Sequence, residues 1–330
     1  MEFKGLLSIV VIILVSVSLV FAVSHEVTFK EWTVPSANTF PHDPAVAPDG
    51  ALWYTGIMAN TLGRLDSKIG TIKEYHLLTP ESGPHGLAAD KDGIIWFTAN
   101  YKGYIGKLNP ATGEVTEYPM PDRSASDPHS LVIDQKGIIW FTVQRGNFIG
   151  RFDPITGRIQ LKHSPSPNSL PYGIALDSKQ NPFFCEFGTN KIAEINPDTF
   201  DISEYMLPEG ARPRRIVVTP DDLIYYTDYA RGILGSLNPG SRKIREWRSP
   251  GGSKSKPYAI TATQDGIIWY SESGVTPNTV VRFDPKVESF STWAIPSGGG
   301  VVRNMVATKE GDLYLACSGQ NRVAIVHVNK

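Results

Sequence analysis

A short motif (aliphatic, aromatic, aromatic, small) returns along the chain at near-constant spacing, and such a period constrains the architecture more than any other feature. It reads Leu52-Trp53-Tyr54-Thr55, Ile95-Trp96-Phe97-Thr98, Ile139-Trp140-Phe141-Thr142 and Pro182-Phe183-Phe184-Cys185. It continues as Ile224-Tyr225-Tyr226-Thr227, Ile268-Trp269-Tyr270-Ser271 and Leu313-Tyr314-Leu315-Ala316. The second positions lie 43, 44, 43, 42, 44 and 45 residues apart. Each unit holds four strand-like runs. In the second unit they fall at 85–90, 94–98, 104–108 and 114–118, joined by Lys91-Asp92-Gly93 and Asn109-Pro110-Ala111-Thr112-Gly113 turns. Glycine supplies the positive φ such turns need and proline fixes its own φ near −65°. No helical periodicity is present after residue 23. Four short antiparallel strands per unit of 40–45 residues mark a propeller blade. The expected fold is all-β, a seven-bladed β-propeller of four-stranded antiparallel blades.

The ring has a visible closure. The fourth run recurs as Ile72-Lys73-Glu74-Tyr75, Val115-Thr116-Glu117-Tyr118, the run at 159–162, Ile202-Ser203-Glu204-Tyr205, Ile244-Arg245-Glu246-Trp247 and Phe290-Ser291-Thr292-Trp293. A further copy, Phe29-Lys30-Glu31-Trp32, precedes the first unit, and the seventh unit ends without one. The N-terminal run is therefore expected to complete the last blade and remove an open sheet edge.

The first 22 residues read differently. Residues 6–23 carry no charge, and Val20-Phe21-Ala22 places small or aliphatic residues at −3 and −1 of a cut after Ala22. Residues 1–22 are expected to be a signal peptide, with an uncleaved anchor as the alternative, since 18 apolar residues reach the lower limit for a span. The 308 residues beyond Ala22 divide into seven units of 44, so 23–330 is read as one propeller domain. Export to the periplasm or medium follows, with membrane contact only if the segment stays. The 32 basic and 33 acidic residues give a net charge of −1, which leaves no surplus for a phosphate backbone and disfavours nucleic acid as partner. Two cysteines, Cys185 and Cys317, are too few for a disulfide scaffold. A monomer is expected.

A propeller does not name its function, so chemistry is sought where the copies differ. The start of the innermost strand carries, in order round the ring, His42, His85, His129, Tyr172, Arg214, Tyr258 and Arg303. The end of the next strand carries Gly56, Ala99, Val143, Glu186, Asp228, Glu272 and Cys317. Hairpin arithmetic puts both positions at one mouth of the central channel, where the histidines are expected to converge with the three carboxylates. Three of the chain's seven histidines occupy equivalent places, which points to a small-molecule or peptide ligand there. Arg212, Arg214 and Arg215 form a basic cluster able to hold an anionic group.

The unit Pro84-His85-Gly86-Leu87-Ala88, continued by the Asp-Gly turn, Ile95-Trp96-Phe97-Thr98, Tyr104-Ile105-Gly106-Lys107-Leu108-Asn109-Pro110 and Val115-Thr116-Glu117-Tyr118-Pro119, resembles the virginiamycin B (streptogramin B) lyases. The likeness covers residues 29–330. It implies a seven-bladed propeller that opens a cyclic depsipeptide antibiotic at its ester by Mg²⁺-dependent elimination, and so an antibiotic-resistance activity. Asp127-Pro128-His129 resembles the family's acid-Pro-His element, Pro84-His85 its second histidine, and Tyr172 a nearby tyrosine. Setting them on these blades requires rotating the ring, because the family's histidines sit on its last two blades, here Tyr258 and Arg303. The family's further acid would fall at Val143 or Gln144. The resemblance implies His129 or His85 as the base and Asp127 as a Mg²⁺ ligand, and the ring positions His42, Tyr172, Arg214, Tyr258 and Arg303 are expected to line the substrate. Glu186, Asp228 and Glu272 offer a second hard-cation site of lactonase type. The competing expectations are a non-enzymatic exported propeller binding a ligand or protein at the mouth, and a metal-dependent lactonase or hydrolase.

Overall fold

A computed structural model describes residues 26–329. Residues 1–22, expected to be a signal peptide, lie outside the described residues. Among the described residues no helix is long and apolar enough to cross a membrane.

Seven four-stranded antiparallel sheets follow one another, six of them in simple up-and-down order. The seventh is built from both ends of the chain. Val27–Thr33 pairs along its length with Arg322–Val328, Phe29 opposite Val326 and Trp32 opposite Val323. The sheet order there runs from the N-terminal strand through the last strands to Val302–Ala307, so the expected closure is present. Three short 3₁₀ turns, at Arg123–Ala125, Gly252–Lys254 and Ser318–Gln320, are the remaining regular elements.

The repeat motif explains how the blades stack. Its aromatics form the inter-blade core: Trp53, Trp140, Trp269, Phe97, Phe141 and Tyr270 are all buried. Glycine faces the second aromatic across the sheet, and a Cβ on Gly106 or Gly150 would lie 2.0 Å from the ring of Phe97 or Phe141. Glycine there makes room for the ring.

The fourth letter, Thr or Ser, latches each blade to the next. Thr55 Oγ1 accepts from the N–H of Asp43 (2.9 Å) and donates to the carbonyl of His85 on the following blade (2.9 Å). Thr98 does the same between Gly86 and His129, and Thr142 between Ser130 and Tyr172. Thr227 joins Arg215 to Tyr258, and Ser271 joins Ala259 to Val302. Cys185 and Ala316 occupy this place in blades 4 and 7 and carry no hydroxyl.

Candidate functional site

Every innermost strand carries an irregularity at its channel-mouth end. In blade 2, Pro84 stands opposite Ala99 but Leu87 opposite Phe97, so one extra residue is accommodated. The same bulge follows Pro41, Pro128, Pro171, Pro213, Pro257 and Val302. A bulge re-aims side chains and leaves a backbone N–H without its ladder partner. The latch hydroxyl supplies that partner. The first-ring residues sit in these bulges, and the residue after each lies close behind it.

Three histidines from adjacent blades stack as expected. The ring centroids of His42 and His85 are 3.8 Å apart, those of His85 and His129 3.8 Å, and Tyr172 continues the row at 4.0 Å. Two of the Nδ1 atoms are fixed from behind. His42 Nδ1 lies 2.9 Å from Asp43 Oδ1 and His129 Nδ1 3.0 Å from Ser130 Oγ, while His85 Nδ1 is buried without a partner. None of the three Nε2 atoms hydrogen-bonds to the described residues, and none is fully buried. Burial holds the imidazoles neutral: His42 is lowered to about 4, and His85 and His129 well below their usual value. The flanking guanidiniums Arg215, Arg303 and Arg214 push the same way.

Behind the stack, one ion pair bolts the channel from side to side. Arg215 of blade 5 donates to both Asp43 carboxylate oxygens on blade 1, at 2.7 and 3.3 Å, and to Ser130 Oγ on blade 3 at 3.3 Å. Burial alone would raise the Asp43 carboxyl, but Arg215 and His42 hold it well below the usual range. Strand alternation would turn Asp43 and Ser130 away from the face of His42 and His129, whereas the bulge keeps both near the channel.

The other half of the mouth is aromatic and cationic. Tyr172 and Tyr258 meet at their hydroxyls, 2.5 Å apart. The Arg214 guanidinium lies 3.8 Å from the Tyr258 ring, 4.3 Å from Tyr229, and 5.1 Å from both Tyr172 and Phe187. Arg303 is half-buried.

The carboxylates do not join this cluster. Glu186, Asp228 and Glu272 stand opposite Pro171, Pro213 and Pro257, one residue before the ring side chains, and a one-residue offset turns a side chain to the other sheet face. Each is consumed locally. Glu186 accepts from Ser164 Oγ (2.9 Å) and Thr189 Oγ1 (2.8 Å), and burial pushes it up to about 7. Asp228 accepts from Arg231 Nε at 2.6 Å and from the N–H groups of Arg212, Ala230 and Arg231. Glu272 accepts from Ser249 Oγ, the Gly251 N–H and Thr279 Oγ1. Asp127 accepts from the N–H groups of Arg145 (2.7 Å) and Gly146 (3.1 Å), and burial raises its carboxyl. Val143 is buried.

Mg²⁺ demands oxygen ligands in near-octahedral order, usually with one or two carboxylates. The four carboxylates have their oxygens committed on four different blades and do not fit it. Among the described residues the one group with metal-ligand spacing is His42, Asp43 and His85, whose ligand atoms lie within 4.8 Å of one another. It offers two nitrogens and a carboxylate already paired to Arg215, which is again not a Mg²⁺ donor set.

Comparison with known proteins agrees on family and fold. The virginiamycin B lyase family matches residues 14–269. A streptogramin B lyase structure superposes with a TM-score of 0.84 at 27% identity, covering 92% of this chain and 98% of that one. Virginiamycin B lyase from Staphylococcus aureus gives 0.83 at 26%, covering 92% and 100%. A catalytically inactive histidine-to-alanine variant of that lyase, with quinupristin, gives 0.83 at 25% and the same coverage. A search of curated proteins gives no match.

Proposed function

The chain belongs to the virginiamycin B lyase family, and from that premise we propose that its histidine-bearing mouth opens an ester by carbon–oxygen elimination. The observation that carries this reading is the row of three stacked imidazoles at the mouth, whose Nε2 atoms take no hydrogen bond from the described residues. Elimination starts with removal of the proton α to a carbonyl; an imidazole free of its proton at neutral pH can accept it, while the burial that lowers its pKa also weakens it as a base. His129 and His85 are the candidates, His129 being oriented by Ser130. The α C–H proton goes to Nε2, the electron pair forms the carbon–carbon double bond, and the ester C–O bond breaks to release a carboxylate. Mg²⁺ would supply an electrophile if bound, but these carboxylates do not fit it. The ligand is a small molecule or peptide, and the protein acts as an exported monomer.

A second reading is favoured by the committed carboxylates and by Val143 at the strand end: a propeller that binds its ligand at the mouth without turnover. One assay separates the two. Purified protein is incubated with a streptogramin B, a simple β-acyloxy ester and a lactone, with and without Mg²⁺, and products are read by mass spectrometry. An unsaturated, ring-opened product without added water, lost in His129→Ala, supports the lyase. Binding without any product supports the second reading, and addition of water identifies a hydrolase.

A further inference from the structure

Charge is unequally matched round the mouth. Arg214, Arg215 and Arg303 act on the histidines, and Asp43 is the one carboxylate among the charges that act on them most strongly. Arg215 takes up that carboxylate. Among the described residues no carboxylate pairs with Arg214 or Arg303; the nearby ion pairs go to Arg215 and Arg231. Cations withdrawn from water without a counter-charge are costly, so each of these unmatched guanidiniums is able to take up an anion.

Arg214 is also held in place. Four aromatic rings surround it, its terminal nitrogen donates to Tyr172 Oη at 3.3 Å, and its Nε is buried without a partner. Arg215 Nε and His85 Nδ1, both on nine-tenths-buried side chains, are likewise without partners. A guanidinium already fixed loses little conformational freedom on binding and presents a planar fork that matches a carboxylate. Phe187 and Tyr229, both partly buried, add apolar ring surface beside it.

We infer that the arginine half of the mouth binds the carboxylate of an organic acid, with Arg214 and Arg303 as counter-charges and Phe187 and Tyr229 as an apolar wall. The inference rests on reading the mouth as the ligand site and does not require elimination. Calorimetric titration of the full chain with benzoate, with benzamide as its neutral isostere and with inorganic phosphate, tests it. The wild type is expected to bind benzoate at least ten-fold more tightly than benzamide or phosphate. Arg303→Gln and Arg214→Gln are each expected to weaken benzoate about ten-fold and leave benzamide unchanged. Arg303 makes no hydrogen bond to the described residues, so its variant keeps the test open if Arg214→Gln fails to fold. Benzamide matching benzoate, or Arg303→Gln binding as wild type, overturns the proposal; phosphate matching benzoate overturns the organic-acid assignment. Benzoate binding without ester turnover leaves this inference standing and removes the lyase reading, and turnover without benzoate preference does the reverse.

Discussion

Blades 1 to 3 and blades 4 to 7 use the same bulge to opposite electrostatic ends. The first group presents His42, His85 and His129, uncharged and packed ring on ring. The second presents Tyr172, Arg214, Tyr258 and Arg303, where charge is retained and boxed by aromatics. Arg215 joins the halves by reaching Asp43 and Ser130 across the channel. One backbone device thus yields a proton-accepting face and a cationic, anion-accepting face that adjoin where Tyr172 lies between His129 and Arg214. An elimination that takes a proton at one end and releases a carboxylate at the other suits that division.

The strongest way to break the contrast is to cut the bolt. Arg215→Met leaves Asp43 buried without its partner, and Asp43→Ala does the same to Arg215. Removing one member of a buried pair costs about 3–5 kcal/mol, so either single variant should lower the urea midpoint sharply. The double variant should recover most of the loss. If the singles unfold like wild type, the halves are not coupled through this pair.

Acid should attack the histidine half first. The histidines titrate near 6.5 when unfolded and well below that when folded, His42 at about 4, so the unfolded chain takes up protons the folded chain refuses. Their contribution is present above pH 6.5 and is lost as pH falls toward the folded values. Each contributes up to about 1.4 kcal/mol per pH unit in that window. Glu186, raised from 4.5 to about 7, works in the opposite sense between those values and offsets about one proton. Stability measured by denaturant from pH 6.5 to 5 should fall, and His85→Gln should flatten the slope by about one proton. An unchanged slope would mean that His85 is protonated in the fold.

The ring itself was legible because its signals are local and repeated. The spacing of Trp53, Trp96 and Trp140 fixes the blade length, and the run at 29–32 announces the closing strand. The histidine row was legible for the same reason, as one position sampled seven times. The second layer was not. Asp43 and Ser130 face inward only because of the bulge, which no alternation rule gives, and the basic cluster at 212–215 did not show that Arg215 would reach Asp43 across the channel. Nor does sequence show that the oxygens of Glu186, Asp228 and Glu272 are filled. Their donors come from residues such as Ser164 and Ser249, some twenty positions away on the preceding connection.

A smaller effect is expected at the latches, which serve the two halves unequally. Thr98→Val removes the hydroxyl that satisfies both the Gly86 N–H and the His129 carbonyl. Two buried backbone groups are stranded at nearly constant side-chain volume, for about 2 kcal/mol. Thermal unfolding measures that loss, and the displaced His129 ring should show it in its imidazole resonances. A variant as stable as wild type would leave the hydroxyl without a structural role.

The smallest effect tests the complementary place. Cys185, buried in the core that blades 4 and 5 share, stands where a latch would hold Arg214, and its thiol is pushed up by that burial. A thiol is a weak donor, so the blade 4–5 junction lacks the hydroxyl that the first three blades supply to their neighbours. Cys185→Thr is nearly isosteric and places a hydroxyl in the frame that Thr142 occupies one blade earlier. If the Arg214 carbonyl lies beside position 185 as the Tyr172 carbonyl lies beside Thr142, the gain should be about 0.5–1 kcal/mol. That is a rise in melting temperature of about one to three degrees. The same variant should tighten benzoate binding slightly, because Arg214 would be carried on a better-held strand. A fall in melting temperature would show instead that the junction is packed to the size of sulfur, and that the arginine half is held by its aromatic box and not by the blade-to-blade hydrogen bonds that order the histidines.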